Sequence, residues 1–250
     1  MMVKSEAPYQ LVHANRCRQA YRDLVAARPE LFDNSGGSEA ITIVLEEAEI
    51  DAIEQEMARR LASQGLPVSW ATIGVLSEDQ YAWLVRDAVR FGDGSPGTYF
   101  RLIAKPWQVN GVVVIPILDQ GPDQGLVLIR QYRHATRSWQ WEFPRGRIDP
   151  GDQAEAAARK EAFEEAGAIV DALTPLGEVH TTAGLTSECL ALFAARTDRI
   201  GSGSAAESIA DPVVLRPQAI EAMIADGQIS CGISITAYFR AKLAGLLESL

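Results

Sequence analysis

Residues 142–167 decide the fold, and they read EFPRGRIDPGDQAEAAARKEAFEEAG. The second half of this stretch predicts a helix over residues 153–166. Asp152, followed three residues later by Glu155, predicts a capping box at its start, where acidic side chains favour the positive end of the helix dipole. Gly167 predicts a left-handed exit at its end. These signals predict one helix with defined ends.

Three glutamates, Glu161, Glu164 and Glu165, share one face of this helix within an arc of roughly 100°. Carboxylates so arranged repel one another by about 1 kcal/mol per pair near 4 Å in water, and a divalent cation such as Mg²⁺ removes that penalty. Lys160 is expected to position Glu164, its neighbour one turn on. The alternative is a solvated acidic helix face, which the three glutamates alone favour slightly. Alanines beside this face would let the helix approach a sheet closely: Ala154, Ala158, Ala162 and Ala166.

The spacing around these glutamates distinguishes the two interpretations. The segment resembles the Nudix box, which runs glycine, five residues, Glu, seven residues, then Arg-Glu-aliphatic-x-Glu-Glu-x-Gly-aliphatic. Five residues stand at matching positions: Gly146, Glu161, Glu164, Glu165 and Gly167. Three depart from the pattern, with Asp152 in place of Glu, Lys160 in place of Arg and Ala162 in place of a larger aliphatic residue. Because the glutamates of the metal site remain, the resemblance implies an active site rather than a degenerate one.

Flanking residues resemble the ADP-ribose pyrophosphatase branch of that family. The segment Trp141–Asp149 is similar to its motif E-[LF]-P-A-G-x-[IL]-D, and Leu126–Arg133 is similar to its strand that ends in Q-Y-R. The similarity extends over roughly residues 75–250. One residue counts against an ADP-ribose substrate, since the branch usually has proline where this chain has Ala183. The resemblance therefore favours ADP-ribose-like substrates within a broader class of nucleoside diphosphates.

The resemblance also implies a metal site. Glu161 and Glu165 would be the main ligands, Glu164 would assist through the metal or a water molecule, and the carbonyl of Arg145 would complete the shell. The implied cofactor is Mg²⁺, with Mn²⁺ as its substitute. The metal would lower the pKa of a bound water and neutralise the diphosphate as it is attacked.

A further acid is implied on a mobile loop. Residues 182–188 resemble the S-P-G-x-x-x-E loop of the branch, which makes Glu188 the candidate base or additional ligand. An ordinary loop carboxylate is an equally weighted alternative. Glu207, in a later loop, is a weaker candidate for the same role.

Two residues are predicted to contact the substrate. The guanidinium of Arg133 matches phosphate oxygens in a forked geometry, although a surface ion pair explains this residue equally well. Trp139 and Trp141 both suit stacking on a base, and Trp139 is the chosen candidate. Packing in the core or in an interface is expected for at least one of the two tryptophans.

The order of predicted elements indicates an α+β fold, because strands and helices are mixed without regular alternation. Two hairpins are predicted: residues 85–91 with 98–104, and residues 112–118 with 126–132. The resemblance implies a Nudix α/β/α sandwich with a mixed sheet. We expect residues 1–72 to form a mostly helical N-terminal extension and residues 73–250 to form the Nudix hydrolase domain.

Composition limits the partners. The 250 residues carry a formal net charge of −10, which disfavours polymeric nucleic acid as a partner. The three cysteines, Cys17, Cys189 and Cys231, form neither a metal-binding pair nor a disulfide framework, which suits a reducing compartment. Residues 1–16 lack the apolar stretch of a signal peptide, and no apolar run is long enough for a membrane span. We therefore expect a cytoplasmic protein away from membranes, and the resemblance implies a homodimer.

The resemblance implies Mg²⁺-dependent hydrolysis of the diphosphate bond of a nucleoside diphosphate linked to another moiety, with an ADP-ribose-like substrate favoured. A second enzymatic interpretation is a Nudix enzyme that acts on nucleotide sugars or dinucleoside polyphosphates. An interpretation from another class is a non-catalytic Nudix module that senses a nucleotide-linked ligand. The altered box motivates it, whereas the first seventy residues show no convincing basic recognition helix.

Overall fold

The structure is a computed structural model that describes residues 7–106, 108–119, 124–202 and 208–250. The chain divides into an N-terminal unit, Met1–Lys105 with Gly184–Ser187, and a C-terminal unit, Pro106–Ala183 with Glu188–Leu250. The units divide at residues 105 and 106, whereas the sequence predicts a domain boundary at residues 72 and 73. The boundary at residues 72 and 73 stays a prediction of where the Nudix domain begins. The strands before residue 106 belong to the N-terminal unit.

Two helices and a four-stranded sheet make up most of the N-terminal unit. Its elements are α1 (Ala7–Ala27), β1 (Thr42–Ile43), α2 (Glu47–Ser63), β2 (Gly74–Glu78), β3 (Ala82–Arg90) and β4 (Pro96–Ala104), with 3-10 helices at Pro29–Phe32 and Val68–Ala71. Strand β3 pairs antiparallel with each of the other three strands. Helix α2 buries Ile50 and Ile53 in a core that includes Ala88 of β3. The predicted hairpin of β3 and β4 is confirmed.

A buried carboxylate joins several of these elements. Asp87, in β3, accepts hydrogen bonds from the Tyr21 hydroxyl at 2.6 Å and from the Arg101 guanidinium at 2.6 and 3.2 Å. Arg101 Nη1 also donates to the carbonyl of Leu31 at 2.9 Å. Burial and the neighbouring charge of Asp87 raise the pKa of Tyr21, so its hydroxyl stays protonated and donates. Helix α1 and strands β3 and β4 are therefore linked through one buried charge that is compensated.

A seven-stranded sheet is the framework of the C-terminal unit. Its strands are β5 (Val109–Leu118), β6 (Gly125–Arg133), β7 (Ser138–Glu142), β8 (Arg145–Arg147), β9 (Val170–His180), β10 (Cys189–Thr197) and β11 (Ile209–Leu215). The strand order is β11-β6-β5-β10-β9, with β7 paired to β6 and β8 paired to β5. Strands β5 and β10 run parallel, and the other pairs are antiparallel. The predicted mixed sheet is confirmed, as is the hairpin of β5 and β6, whose connection lies partly outside the described residues.

Helices cover both faces of this sheet: α3 (Ala154–Ala166) on one face, and α4 (Pro217–Ala225) and α5 (Gly232–Leu243) on the other. Strand β5 shows why, since side chains alternate along a strand. Val112 and Val114 pack in the core shared with α3, whereas Val113 and Ile115 pack in the core shared with α4 and α5. The alanine ridge predicted on α3 packs in the first of these cores, and three of its four members are fully buried. The α/β/α sandwich is confirmed.

The sequence predicts the C-terminal end of α3 correctly and its N-terminal end incorrectly. Gln153 is the N-cap residue and makes no capping hydrogen bond with its side chain, so the predicted capping box of Asp152 and Glu155 is wrong. The Asp152 amide instead donates to the carbonyl of Asp149 at 3.0 Å, which closes a turn before the helix begins. The predicted exit is confirmed, because Gly167 is left-handed with a φ of 60° and its amide donates back into the last turn.

Candidate active site

Gly146, in β8, lies directly against the carboxylate of Glu161, in α3. A Cβ atom placed on Gly146 would lie 2.0 Å from Glu161 Oε1 and 2.1 Å from its Cδ. No side chain fits at such distances, so only glycine lets the carboxylate approach the strand. Strand β8 is itself held by antiparallel pairing with β5, in which Gly146 faces Val112. The glycine therefore creates the space that Glu161 occupies.

Glu165 lies one turn further along α3 and reaches the same strand. It is 1% exposed, and its Oε2 accepts a hydrogen bond from the Arg145 amide at 2.7 Å. Side chains four positions apart lie on the same helix face, so Glu161 and Glu165 reach adjacent residues of β8. Two carboxylates of the predicted metal site are thus brought together at the backbone of Arg145 and Gly146.

Glu164 differs from these two glutamates because it is exposed. Lys160, which was expected to position it, donates instead to Asp149 Oδ2 at 2.8 Å, which corrects that expectation. Both members of this ion pair are well exposed, so the pair adds little to stability. Within the described residues, no three or more His, Cys, Asp or Glu side chains are grouped closely enough to hold a metal ion. The structure therefore places Glu161 and Glu165 together and Glu164 apart from them.

Two arginines bind a single buried carboxylate close to these glutamates. Glu142, 1% exposed at the end of β7, accepts hydrogen bonds from Arg133 Nε and Nη2 at 3.0 and 2.6 Å and from Arg145 Nε at 2.9 Å. Burial would raise the pKa of Glu142, but the hydrogen bonds and charges of both arginines bring it below its ordinary value. Burial would lower the pKa of Arg133, but the bound Glu142 and the charge of Glu165 raise it. Glu142 and Arg133 therefore stay charged.

Glu142 and the side chain of Arg145 are additions to the predicted site. Arg145 enters the prediction only through its carbonyl, although the motif E-[LF]-P-A-G has alanine at this position. A guanidinium in place of that alanine was the signal that could have revealed it. Glu142 is the glutamate that begins the same motif, and this position was its signal in the sequence. Its role becomes visible only when the partners that compensate its charge are known.

The two predicted substrate contacts, Arg133 and Trp139, lie on opposite faces of the β6–β7 ribbon. Tyr132 pairs with Trp139 across the two strands, and successive side chains of a strand alternate between faces. Arg133, the next residue, lies with Glu142 on the face that α3 covers. Trp139 is 46% exposed on the other face, in edge-to-face contact with Tyr132 at 5.7 Å. Trp141 shares that face and packs against the core beneath α4 and α5, as expected for one of the tryptophans.

The loop that carries Glu188 is hydrogen-bonded at several points. Residues 184–187 belong to the N-terminal unit, where backbone hydrogen bonds join β4 to Leu185 and Ser187 at 2.8 and 3.0 Å. A β4 amide also donates to Ser187 Oγ at 2.9 Å. Glu188 follows directly and is half-buried. The segment expected to be a mobile loop is thus tied to a strand, and Glu207, the weaker candidate, lies outside the described residues.

Known proteins share sequence and fold with this chain. A model of the NUDIX domain matches residues 107–210. GDP-mannose pyrophosphatase from Yersinia enterocolitica is 30% identical over 155 residues, which cover 56% of this chain and 76% of that protein. The chain belongs to the Nudix family. ADP compounds hydrolase NudE from Escherichia coli is 35% identical over 86 residues, 34% of this chain, and the match spans only 43% of NudE.

A crystal structure of an ADP compounds hydrolase has the same Nudix fold. It aligns with a TM-score of 0.55 at 22% sequence identity, and the alignment covers 67% of this chain and 88% of that one. At this identity the likeness concerns the fold. It agrees with the α/β/α arrangement that places α3 against β8.

Nudix proteins typically use a divalent metal, and the residues of this site fit one. Glu161 and Glu165 offer hard oxygen donors at adjacent positions of β8. Mg²⁺ is commonly bound through one or two carboxylates together with waters and substrate phosphates, so a third clustered acid is not required. Two acids buried this close together also favour a cation, because buried negative charge is costly unless it is compensated.

Proposed function

We propose that this Nudix protein is a Mg²⁺-dependent diphosphatase. It hydrolyses the diphosphate bond of a nucleoside diphosphate linked to another moiety, with an ADP-ribose-like compound as the favoured substrate. The observation that carries the proposal is the convergence of two buried glutamates, Glu161 and Glu165, on the Arg145–Gly146 backbone. Such an arrangement supplies oxygen ligands for a hard cation beside arginines that suit phosphate oxygens. Mn²⁺ is expected to substitute for Mg²⁺.

The residues around the metal site have distinct proposed roles. Glu161 and Glu165 hold the metal, and the carbonyl of Arg145 completes the protein's share of the ligands. Glu164, exposed on the same helix, assists through the metal or a water molecule. When bound, the metal lowers the pKa of water and neutralises charge on the diphosphate. Arg133 donates to a phosphate oxygen and orients the reacting group for attack.

Glu188 and Trp139 complete the proposed roles. Glu188, which follows the segment tied to β4, accepts the proton of the attacking water. Trp139 stacks on the base of the substrate, for which its exposed ring is suited. Because Trp139 and Arg133 lie on opposite faces of the β6–β7 ribbon, Trp139 is the weaker of the two proposed substrate contacts.

The names of two relatives suggest the substrate class. NudE is named as a hydrolase of ADP compounds, and GDP-mannose pyrophosphatase is named for a nucleotide sugar. Both substrates contain a diphosphate that joins a nucleoside to a second moiety, which a metal flanked by arginines can recognise. ADP-ribose-like compounds are placed first because the segments 126–133 and 141–149 resemble the ADP-ribose pyrophosphatase branch, although Ala183 is a contrary sign. Nucleotide sugars and dinucleoside polyphosphates are the alternatives.

The main rival is a non-catalytic Nudix module that binds a nucleotide-linked ligand. Departures from the Nudix box, such as Asp152 and Lys160, motivate it. Both of these residues are exposed, and Lys160 pairs with Asp149. The two glutamates on which the chemistry depends, Glu161 and Glu165, are both present and buried, which favours the enzyme.

A substrate panel tests the proposal. The protein is incubated with Mg²⁺ or Mn²⁺ and with ADP-ribose, GDP-mannose or a dinucleoside polyphosphate, and the products are separated by chromatography. We expect a nucleoside monophosphate and a phosphorylated partner from at least one compound, and no products in EDTA. Glu165→Gln should abolish turnover, whereas Glu155→Gln, an exposed position on the same helix, should retain it. Tight binding of one compound without turnover of any would overturn the enzyme in favour of the non-catalytic module.

The cellular location and the assembly are proposals that accompany this function. No helix in the described part of the chain is long and apolar enough to span a bilayer. The three cysteines are free, which suits the reducing cytoplasm that we propose. A homodimer is proposed from the family resemblance, and a monomer mass in analytical ultracentrifugation would contradict it. A small nucleotide diphosphate, rather than polymeric nucleic acid, is the proposed partner of a chain with a net charge of −10.

A further inference from the structure

Arg145 stands where the motif E-[LF]-P-A-G has alanine, so its guanidinium distinguishes this chain from the motif. Its Nε donates to Glu142 Oε2 at 2.9 Å, and 22% of its side-chain surface stays exposed. Its backbone amide donates to Glu165 Oε2 at 2.7 Å. One residue thus contacts a carboxylate of the proposed metal site through its backbone and a second buried acid through its side chain.

Glu142 holds two guanidiniums at once. Arg133 approaches it through Nε and Nη2, and Arg145 approaches it through Nε. These contacts use two N–H groups of Arg133 and one of Arg145, whereas each guanidinium carries five. Neither guanidinium makes another hydrogen bond within the residues that the structure describes. Most N–H groups of the pair can therefore donate to an anion.

The two arginines also outnumber the acid between them. Two guanidiniums face the carboxylate of Glu142, which leaves one positive charge in excess among these three groups. Glu165 lies beside them and its charge also acts on Arg133, so the excess belongs to the Arg133–Glu142–Arg145 cluster and not to the whole site. Because Glu142 is almost fully buried, neither arginine can turn away without weakening the compensation of a buried charge. Both guanidiniums are thus held in place before a ligand arrives, which reduces the entropy lost on binding. Each presents paired donors that match two phosphate oxygens.

We propose that Arg133 and Arg145 form a clamp for the diphosphate of the substrate, with Arg145 as a substrate-binding residue and Glu142 as a positioning residue. The clamp rests on the proposed function and adds to it a role for the Arg145 side chain. It recognises two linked phosphates whatever moieties are attached, so it serves ADP-linked and sugar-linked substrates alike. Since its donors belong to the protein, the clamp can donate to a diphosphate whether or not a metal is bound.

Inorganic pyrophosphate tests the clamp without requiring turnover. Titration calorimetry in EDTA measures its dissociation constant for the wild type, Arg145→Ala, Arg145→Lys and Arg216→Ala. Arg145→Ala keeps the amide that binds Glu165 and should weaken binding about 10-fold to 100-fold, as expected when charge-assisted hydrogen bonds are lost. Arg145→Lys, which keeps the charge without the fork, should give an intermediate value. Arg216→Ala, at an exposed position before α4 on the other face of the sheet, should bind like the wild type.

Kinetics of Glu142→Gln test the positioning role. This change keeps the size of the side chain and removes the charge that holds the two guanidiniums. The KM of a hydrolysed substrate should rise about 10-fold with a smaller change in kcat, and the Mn²⁺ affinity measured by electron paramagnetic resonance should stay as in the wild type. Glu142→Asp, which keeps the charge, should recover part of the KM effect. A merely structural role would instead change KM, kcat and Mn²⁺ affinity together.

Two results would overturn the clamp. One is that Arg145→Ala binds pyrophosphate as tightly as the wild type, and the other is that the wild type does not bind pyrophosphate in EDTA. Thermal melting shows whether Arg145→Ala is folded. If it is not, Arg145→Lys is compared with the wild type instead. Intact pyrophosphate binding without turnover of any nucleotide would overturn the proposed enzymatic function and support the clamp. The two proposals can therefore fail separately.

Discussion

One methyl group on Gly146 tests how the site is built. Gly146→Ala would place a Cβ atom 2.0 Å from Glu161 Oε1, whereas ordinary contact begins at 3.4 Å. The carboxylate must therefore retreat by about 1.4 Å, the difference between these two distances. Movement of the backbone is the alternative, but pairing with β5 holds β8 in place. Glu161 is thus the group that moves, and it moves away from the strand.

A displacement of this size is large for a metal site. Mg²⁺ demands near-ideal octahedral geometry with ligands at about 2.0–2.1 Å, and misplacing a reacting group by about 1 Å can cost about 100-fold in rate. A 100-fold loss in kcat/KM corresponds to about 2.7 kcal/mol of lost transition-state stabilisation. The free energy of unfolding should fall by only about 1 kcal/mol, because the clash involves the flexible end of a side chain.

Steady-state kinetics with Mg²⁺ and the best substrate of the panel measure this effect, and a Mn²⁺ titration measures metal affinity. We expect kcat/KM to fall by about 100-fold and Mn²⁺ to bind more weakly. Gly232→Ala is the matched control, because a Cβ atom there meets nothing within 4 Å, and it should leave both quantities unchanged. Full activity of Gly146→Ala would refute the reasoning that this glycine makes room for a metal-binding carboxylate.

Three further predictions concern the rest of the molecule. Asp87→Ala should lower the free energy of unfolding by about 3 kcal/mol, because it leaves a largely buried arginine without its partner; urea denaturation measures this, and an unchanged midpoint would contradict it. Ser187→Ala removes a hydroxyl that accepts from β4 and should lower kcat several-fold at unchanged Mn²⁺ affinity, whereas an unchanged kcat would count against a role for this loop. Cys231 should react first with a thiol reagent at neutral pH, because Cys17 and Cys189 are buried and burial raises the pKa of both thiols; mass spectrometry of labelled peptides gives the order, and early labelling of a buried cysteine would contradict it.

Features with local causes could be predicted from the sequence. Gly167 marks the end of α3 because a left-handed residue there is a common helix ending. Glu161 and Glu165 share a face because helical side chains repeat every three to four residues. The assembly of these elements into an α/β/α sandwich came from resemblance to a family, since no local rule specifies which strands pair.

Features that depend on contacts outside the helix could not be predicted from the helical pattern. Asp152 has a suitable residue type for an N-cap, but a turn with Asp149 places it before the helix. Lys160 has one acidic neighbour along the helix, Glu164, and another across the loop, and only the folded chain shows that it pairs with the second. Local spacing alone favoured the wrong partner.

The register of the β6–β7 hairpin explains why the predicted substrate contacts separate. Arg133 and Trp139 are close in sequence, but which residues share a face depends on how the two strands align. The observed register places Arg133 with Glu142 and leaves Trp139 on the other face. The same register brings Glu142 next to Arg133, and Arg145 contacts it as well. The burial of Glu142 is explained only by these two arginines.

Metal-dependent turnover of Glu165→Gln tests the central claim most directly, which is that the buried glutamates of α3 hold the catalytic metal. Product formation from the best substrate is followed by chromatography for the wild type, Glu165→Gln and Glu155→Gln over a range of Mg²⁺ concentrations. The wild type and Glu155→Gln should release a nucleoside monophosphate only when Mg²⁺ is present. Glu165→Gln should be more than about 100-fold slower throughout, since losing a ligand should exceed the roughly 10-fold to 100-fold cost of losing an outer-shell partner. The claim would be contradicted if Glu165→Gln hydrolysed the substrate as fast as the wild type, or if the wild type stayed active in EDTA.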